Sequence, residues 1–225
     1  MIAKADSEYL LCMERVLALY AMPYNRDIPV VCLDETTKQL IDDAQQPFVD
    51  NKGVIHQDYE YVRKGVRTIY MITEPLGKRR EVMVRQSGSG HDYAQVLAFI
   101  AEEMYPQKSK IYLVEDNLKA HNLKFLYEIY PASRAMAIAS KFVVVRTPKH
   151  GSWLNIAECE IGVMRSQALC GRIADAEKLE ERAYAWARRR NEAQCGVDWQ
   201  FTVDEARIKL KRLYPVIEKK VQRSA

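Results

Sequence analysis

Apolar positions recur at two spacings along this chain. From Ser7 to Tyr20, the residues Leu10, Met13, Val16, Leu17 and Tyr20 fall at helical intervals. Val30-Val31-Cys32-Leu33 then predicts a strand over about 29–34, apolar on both faces. Arg67–Ile72 and Arg80–Arg85 flank a turn at Pro75–Gly77 and predict a hairpin. Tyr93, Val96, Leu97, Ile100 and Met104 share one face of a helix over about 91–104. A strand at 111–115, a helix near 122–130 and a short buried strand at 142–145 follow. The remainder reads as helices over about 154–168, 176–190 and 203–214. Asp175 is expected to cap the second of these, and Thr202 with Glu205 to form a capping box on the third.

A hairpin group followed by helix, strand, helix, strand, helix is a mixed α/β order, with a mixed sheet flanked by helices. A ribonuclease-H-like fold has this order, and so do other α/β folds. The 225 residues, 48% of them hydrophobic, suffice for one sizeable core. No apolar run is long enough to span a bilayer, and the start lacks a signal-peptide pattern. Five scattered cysteines with no C-x-x-C pair predict a reduced, cytoplasmic protein and disfavour a zinc site. The net charge of +4 resides wholly in residues 201–225, which hold seven bases against three acids, while the rest holds 27 of each. A basic tail suits a polyanion, and equally a solvated helix face.

The candidate chemistry lies in three carboxylates. Asp34 ends the first buried strand and Asp116 ends the strand at 111–115. Ligands gather at the carboxyl ends of strands in open α/β sheets, and buried carboxylates need a partner. The competing readings are a strand cap or an ion pair with Lys38 for Asp34, and a simple turn for Asp116-Asn117. Glu35 adjoins Asp34, but neighbours on a strand face opposite ways, so one of the two should face a site. Glu158 follows Asn155 by three and on spacing alone reads as a capping partner. Two strand acids and one helix acid supply the oxygen ligands that hard divalent cations take, often alongside phosphates.

The segments carrying these acids resemble a known family. Cys32-Leu33-Asp34-Glu35-Thr36-Thr37-Lys38-Gln39-Leu40, Asp116-Asn117-x-x-x-His121 and Thr147-Pro148-Lys149-His150-Gly151-Ser152-Trp153-Leu154-Asn155-x-x-Glu158 are similar to DDE transposases of bacterial insertion sequences related to mariner. The likeness runs from about residue 8 to 215 and is thin over about 42–58. It implies a lead-in helix at 1–28, a ribonuclease-H-like catalytic domain at 29–215 and a basic tail at 216–225. It further implies that Asp34, Asp116 and Glu158 hold two magnesium or manganese ions. The implied activity is cleavage of double-stranded DNA at element ends and strand transfer to target DNA, with a homodimer as the working state. Two ions stabilise the attacking and leaving oxygens of an in-line displacement at phosphorus.

The chain also departs from the family. Forty-one residues separate Asp116 from Glu158, longer than in many mariner relatives, and Glu115 stands where an apolar residue is common. The helix-turn-helix region that reads terminal repeats is expected to be missing, leaving mostly phosphate contacts, which are salt-sensitive and largely non-specific. Lys149 and His150 are candidates for DNA phosphate, and Trp153 for stacking at the cut site, with core packing as its plain alternative. Lys209, Lys211 and Arg212 are further DNA candidates. His121 reads either as a neighbour of a metal-bound phosphate or as a satisfied structural histidine. Against the enzyme stand two rival functions: a non-catalytic remnant that joins full-length transposase and regulates it, and a generic α/β binding domain.

Overall fold

The computed structural model describes residues 7–45, 48–56 and 59–215. Helix α1 (Ser7–Tyr20) leads into strand β1 (Val30–Asp43), the short strands β2 (Phe48–Val49) and β3 (Ile55–His56), then β4 (Tyr61–Glu74) and β5 (Arg79–Arg85). Helix α2 (Gly90–Phe99) runs into a π-helical turn and is followed by β6 (Ile111–Glu115), α3 (Lys124–Ile129), α4 (Ala132–Lys141) and β7 (Phe142–Arg146). Helices α5 (Ile156–Gln167), α6 (Ala176–Glu192) and α7 (Val203–Lys209) complete the order. The main sheet runs β5-β4-β1-β6-β7. Its β1–β4 and β4–β5 pairs are antiparallel, and its β1–β6 and β6–β7 pairs are parallel. This is the mixed, ribonuclease-H-like sheet flanked by helices.

Strand alternation divides the core. Val30 and Cys32 face α1, α5 and α6, whereas Val31 and Leu33 face α2 and α4. Both faces of β1 are thus covered, which is why its first residues form an unbroken apolar run. The expected caps hold: Asp175 accepts from the Lys178 amide, and Thr202 with Glu205 forms the capping box.

Three expectations were too short, absent or too long. β1 continues nine residues beyond Asp34, because β4 supplies backbone partners out to Asp43–Tyr61 even where the side chains are polar. Helix α4 escaped notice because only Ala135 and Ile138 of its ten residues are buried, a stripe too narrow to show periodicity. The last helix stops at Lys209, with a separate 3-10 turn at Lys211–Leu213. The basic-tail assignment at 216–225 lies outside the described residues.

One ionic cluster ties the site-bearing helix into this frame. Arg80 of β5 and Glu160 of α5 are 1% and 2% exposed, with Nε and Oε2 3.0 Å apart. Arg190 of α6 reaches the other Glu160 oxygen at 3.1 Å. Arg80 also donates to the Cys195 carbonyl and, at 3.2 Å, to Asn191 Oδ1. Neither charged residue of this pair was singled out by the sequence, where neither 80 nor 160 stands in a motif.

Candidate active site

Register places the two aspartates side by side. The last β1–β6 pair is Cys32–Val114, so two further residues along each strand set Asp34 beside Asp116. By alternation both continue the face of Cys32 and Val114, the side on which α5 packs. Glu158 projects from the first turn of that helix. Asp34, Asp116 and Glu158 therefore line one cleft of about 250 Å³, together with Glu35, Thr36 and Arg165. The suggested Asp34–Lys38 ion pair is replaced by another contact: Lys38 donates to the carbonyls of Leu169 and Gly171, at 2.7 and 3.1 Å.

The electrostatics of the two aspartates differ sharply. Burial pushes Asp34 up to about 7; the Glu35 amide, donating to Oδ1 at 2.8 Å, opposes this, and the charges of Glu35, Asp116 and Glu158 reinforce it. Asp116 is held below the usual range, chiefly by His121, whose Nδ1 lies 2.8 Å from Oδ1. The Leu118 amide also donates to that oxygen at 2.9 Å, in the turn that the Asp-Asn pair suggested.

His121 is 2% exposed and bridges two acids. Its Nε2 lies 3.0 Å from Glu35 Oε2, and its ring stacks on Tyr93 at 4.8 Å between centroids. Burial disfavours the imidazolium, but the contacts with Asp116 and Glu35 outweigh it and raise His121 to about 10. Through the Nδ1 contact His121 holds the carboxylate of Asp116, and through Nε2 that of Glu35. Glu115 points to the opposite face, fully buried, accepting from Tyr93 at 2.8 Å and pairing with Arg146 at 3.0 Å. Burial raises Glu115, and Arg146 opposes that. Arg146 also donates to the carbonyls of Asp116 (2.6 Å) and His121 (2.7 Å), clamping the Asp116 turn.

The third acid depends on how α5 begins. At Gly151 an added Cβ would lie 2.5 Å from Pro148 Cγ, so only glycine permits this tight entry. Asn155, 1% exposed, uses both ends of its amide: Oδ1 accepts from the Ala157 amide at 3.2 Å, and Nδ2 donates to the Leu33 carbonyl at 2.9 Å. It caps the helix as expected and also fastens it to β1 one residue before Asp34. The Glu158 carboxylate makes no return bond to the cap, so the expected capping pair is only half present. Replacing Asn155 by Ala removes a cap and strands a buried carbonyl. The expected loss is about 2–4 kcal/mol, or roughly 4–16 °C of melting temperature by circular dichroism. An unchanged melting point would contradict this role.

The DNA candidates lie outside the cleft itself. Lys149 and His150 are exposed in the loop before α5, with His150 in the left-handed region at φ +64. Trp153 is 42% exposed, so core packing does not account for it. It leans on Phe201 at 6.0 Å, and Lys209 sits over the other partner of this contact, 5.6 Å from the Phe201 ring. Lys209 is also paired with Glu205 at 2.9 Å. Lys211 and Arg212 are exposed on the final turn.

The donor set suits a hard divalent cation: carboxylates crowd one cleft, and their mutual repulsion helps raise Asp34. As the side chains stand, no three His, Cys, Asp or Glu among the described residues converge at metal-binding distance. Asp116 is engaged by His121, Glu158 is exposed, and like charges do not draw together unaided. All five cysteines are free, and no helix among the described residues is long and apolar enough to cross a membrane.

Comparison with known proteins follows from this geometry. The chain matches the family described as DDE superfamily endonuclease over residues 29–180, more than half its length. None of the curated proteins compared is similar to it. Among solved structures it is similar to the mariner Mos1 paired end complex with Mg, at 12% identity and a TM-score of 0.49, covering 95% of this chain and 62% of that one. The Mos1 paired end complex with Mn gives 12% identity and a TM-score of 0.48, covering 85% and 62%. The Mos1 strand transfer complex gives 13% and 0.48, covering 83% and 58%. The chain thus spans about three fifths of these structural neighbours, at likenesses too distant to carry a functional argument. The match to the family stands independently of them: this chain belongs to the DDE superfamily endonucleases.

Proposed function

We propose that the chain is the catalytic domain of a transposase, cleaving double-stranded DNA at the ends of a mobile element and joining those ends to target DNA. The observation that carries this reading is the common cleft of Asp34, Asp116 and Glu158, delivered by β1, the end of β6 and the start of α5. Asp34, Asp116 and Glu158 would hold two magnesium or manganese ions. Such ions supply Lewis-acid stabilisation of the oxygens exchanged at phosphorus.

The protein's own residues do the rest. Arg146 and His121 fix the backbone and carboxylate of Asp116. Asn155 sets the Glu158 helix against the strand that carries Asp34. The exposed Trp153 and the basic residues Lys149, Lys209, Lys211 and Arg212 offer stacking and phosphate contacts beside the cleft. The dimer implied by paired-end chemistry belongs to this proposal as well.

The test is nicking of a supercoiled plasmid by the wild type and by Asp34→Asn, with and without Mg2+. Metal-dependent nicking that the variant loses is the expected result. Loss of a direct ligand should exceed the ~10–100-fold cost of altering an outer-shell partner. Equal nicking by both proteins would refute the triad.

A further inference from the structure

The end of the sheet opposite the acidic cleft carries a second cavity. It lies among the connections that enter β1, join β4 to β5 and enter β6. Its volume of about 380 Å³ falls in the range of small-molecule sites. Glu74, 5% exposed, is part of its wall. One carboxylate oxygen, Oε2, accepts from the Tyr105 hydroxyl at 2.8 Å, while Oε1 has no donor among the described residues. A carboxylate oxygen so deep in the protein and left open calls for a donor from outside.

Two backbone features shape the cavity around that carboxylate. At Gly77 an added Cβ would lie 2.5 Å from Glu74 Cδ, so the β4–β5 turn folds over the acid only with glycine there. The π-helical turn Ile100–Met104 closes with the Tyr105 amide donating to the Ile100 carbonyl at 3.0 Å, and Tyr105 leaves it directed at Glu74. Such turns recur at functional sites. Neither feature serves the cleft of Asp34 and Asp116, at the other end of β1 and β6.

Three cations, Arg26, Arg79 and Lys108, share the wall. Lys108 pairs with Asp27 at 2.7 Å and Arg79 with Glu81 at 3.4 Å, solvated contacts of the weak kind. Arg26 has no ion pair among the described residues. A simple anion drawn by these cations meets the Glu74 carboxylate, and a simple amine drawn by Glu74 meets the three cations. The lining suits a ligand that carries both a donor and an anion. Tyr24, 54% exposed, adds a flat aromatic face on which a base stacks. We propose that this cavity binds a free mononucleotide, its phosphate on Arg26, Arg79 and Lys108 and a base amine or sugar hydroxyl donating to Glu74 Oε1. The site is independent of the nuclease reading.

The test is isothermal titration calorimetry with AMP, GMP, CMP and UMP in EDTA, for wild type, Arg26→Ala, Glu74→Gln and Asp34→Asn. Inorganic phosphate and adenosine serve as single-ended controls, and melting curves show that each variant folds. At least one mononucleotide should bind at one site per chain, more tightly than either control. Arg26→Ala, which breaks no ion pair in the free protein, should weaken it by about 10–100-fold, the loss expected for a hydrogen bond to a charged group. Glu74→Gln should do the same, because Tyr105 holds the amide oxygen and turns the NH2 towards the ligand's donor. Should that variant fail to fold, Arg26→Ala alone decides.

No mononucleotide binding at millimolar concentration overturns the proposal, as does wild-type affinity in Arg26→Ala. Inorganic phosphate binding as tightly as the nucleotide overturns it too. Binding lost in Asp34→Asn would put the nucleotide in the acidic cleft and overturn it equally.

Discussion

Asp34→Asn is expected to make the metal-free protein more stable while destroying its response to Mg2+. In the metal-free protein burial raises Asp34 from 3.8 to about 7. The folded state therefore retains a proton that the unfolded chain releases, and stability falls with rising pH over that window. This contribution is fully present below about 4 and lost once the pH passes about 7. The full shift corresponds to ~4 kcal/mol, which partial solvent exposure reduces to ~1–2 kcal/mol. A neutral Asn is spared the cost of burying a charge, so at pH 8 its melting temperature should rise by roughly 2–8 °C. Mg2+ should raise the wild-type melting temperature at pH 8 by preferential binding to the folded state, and leave the variant unmoved. Differential scanning calorimetry with and without Mg2+ reads both effects. A variant less stable than wild type at pH 8 would show that Asp34 is a structural partner rather than a strained ligand.

The second large effect lies behind the site. Glu160→Ala leaves Arg80 buried without its carboxylate and deprives Arg190 of the same partner. Breaking one side of a buried pair costs about 3–5 kcal/mol, so the melting temperature should drop by roughly 6–20 °C. The loss should be cooperative with Arg80→Ala: once one partner is gone, removing the other adds little, as a double-mutant cycle would show. Additive losses would mean that the two residues act independently. Because Glu160 is two residues from Glu158, the same cluster anchors the helix that brings the third acid to the cleft.

What the sequence disclosed follows from how far each interaction reaches. Asp34 and Asp116 were legible because each terminates an apolar run, and strand alternation is a local rule. Asn155 was legible as a helix cap for the same reason. Its second bond, to Leu33, was not, since the two lie 122 positions apart. The same holds for His121 with Glu35 and Arg165 with Thr36, separated by 86 and 129 positions. Such pairs are created by the sheet order, with β6 beside β1 and α5 laid across it, which no spacing along the chain encodes. The length of β1 was missed for a related reason: Glu35 to Asp43 is strand because β4 lies alongside, not because its own residues are apolar.

The central claim is that Asp34, Asp116 and Glu158 share divalent cations. Its most direct test is anomalous scattering from crystals soaked in MnCl2. The account predicts a manganese peak within coordination distance of all three carboxylates, absent in Asp34→Asn crystals. No peak in the cleft at saturating manganese, or a peak that survives the substitution unchanged, would contradict it.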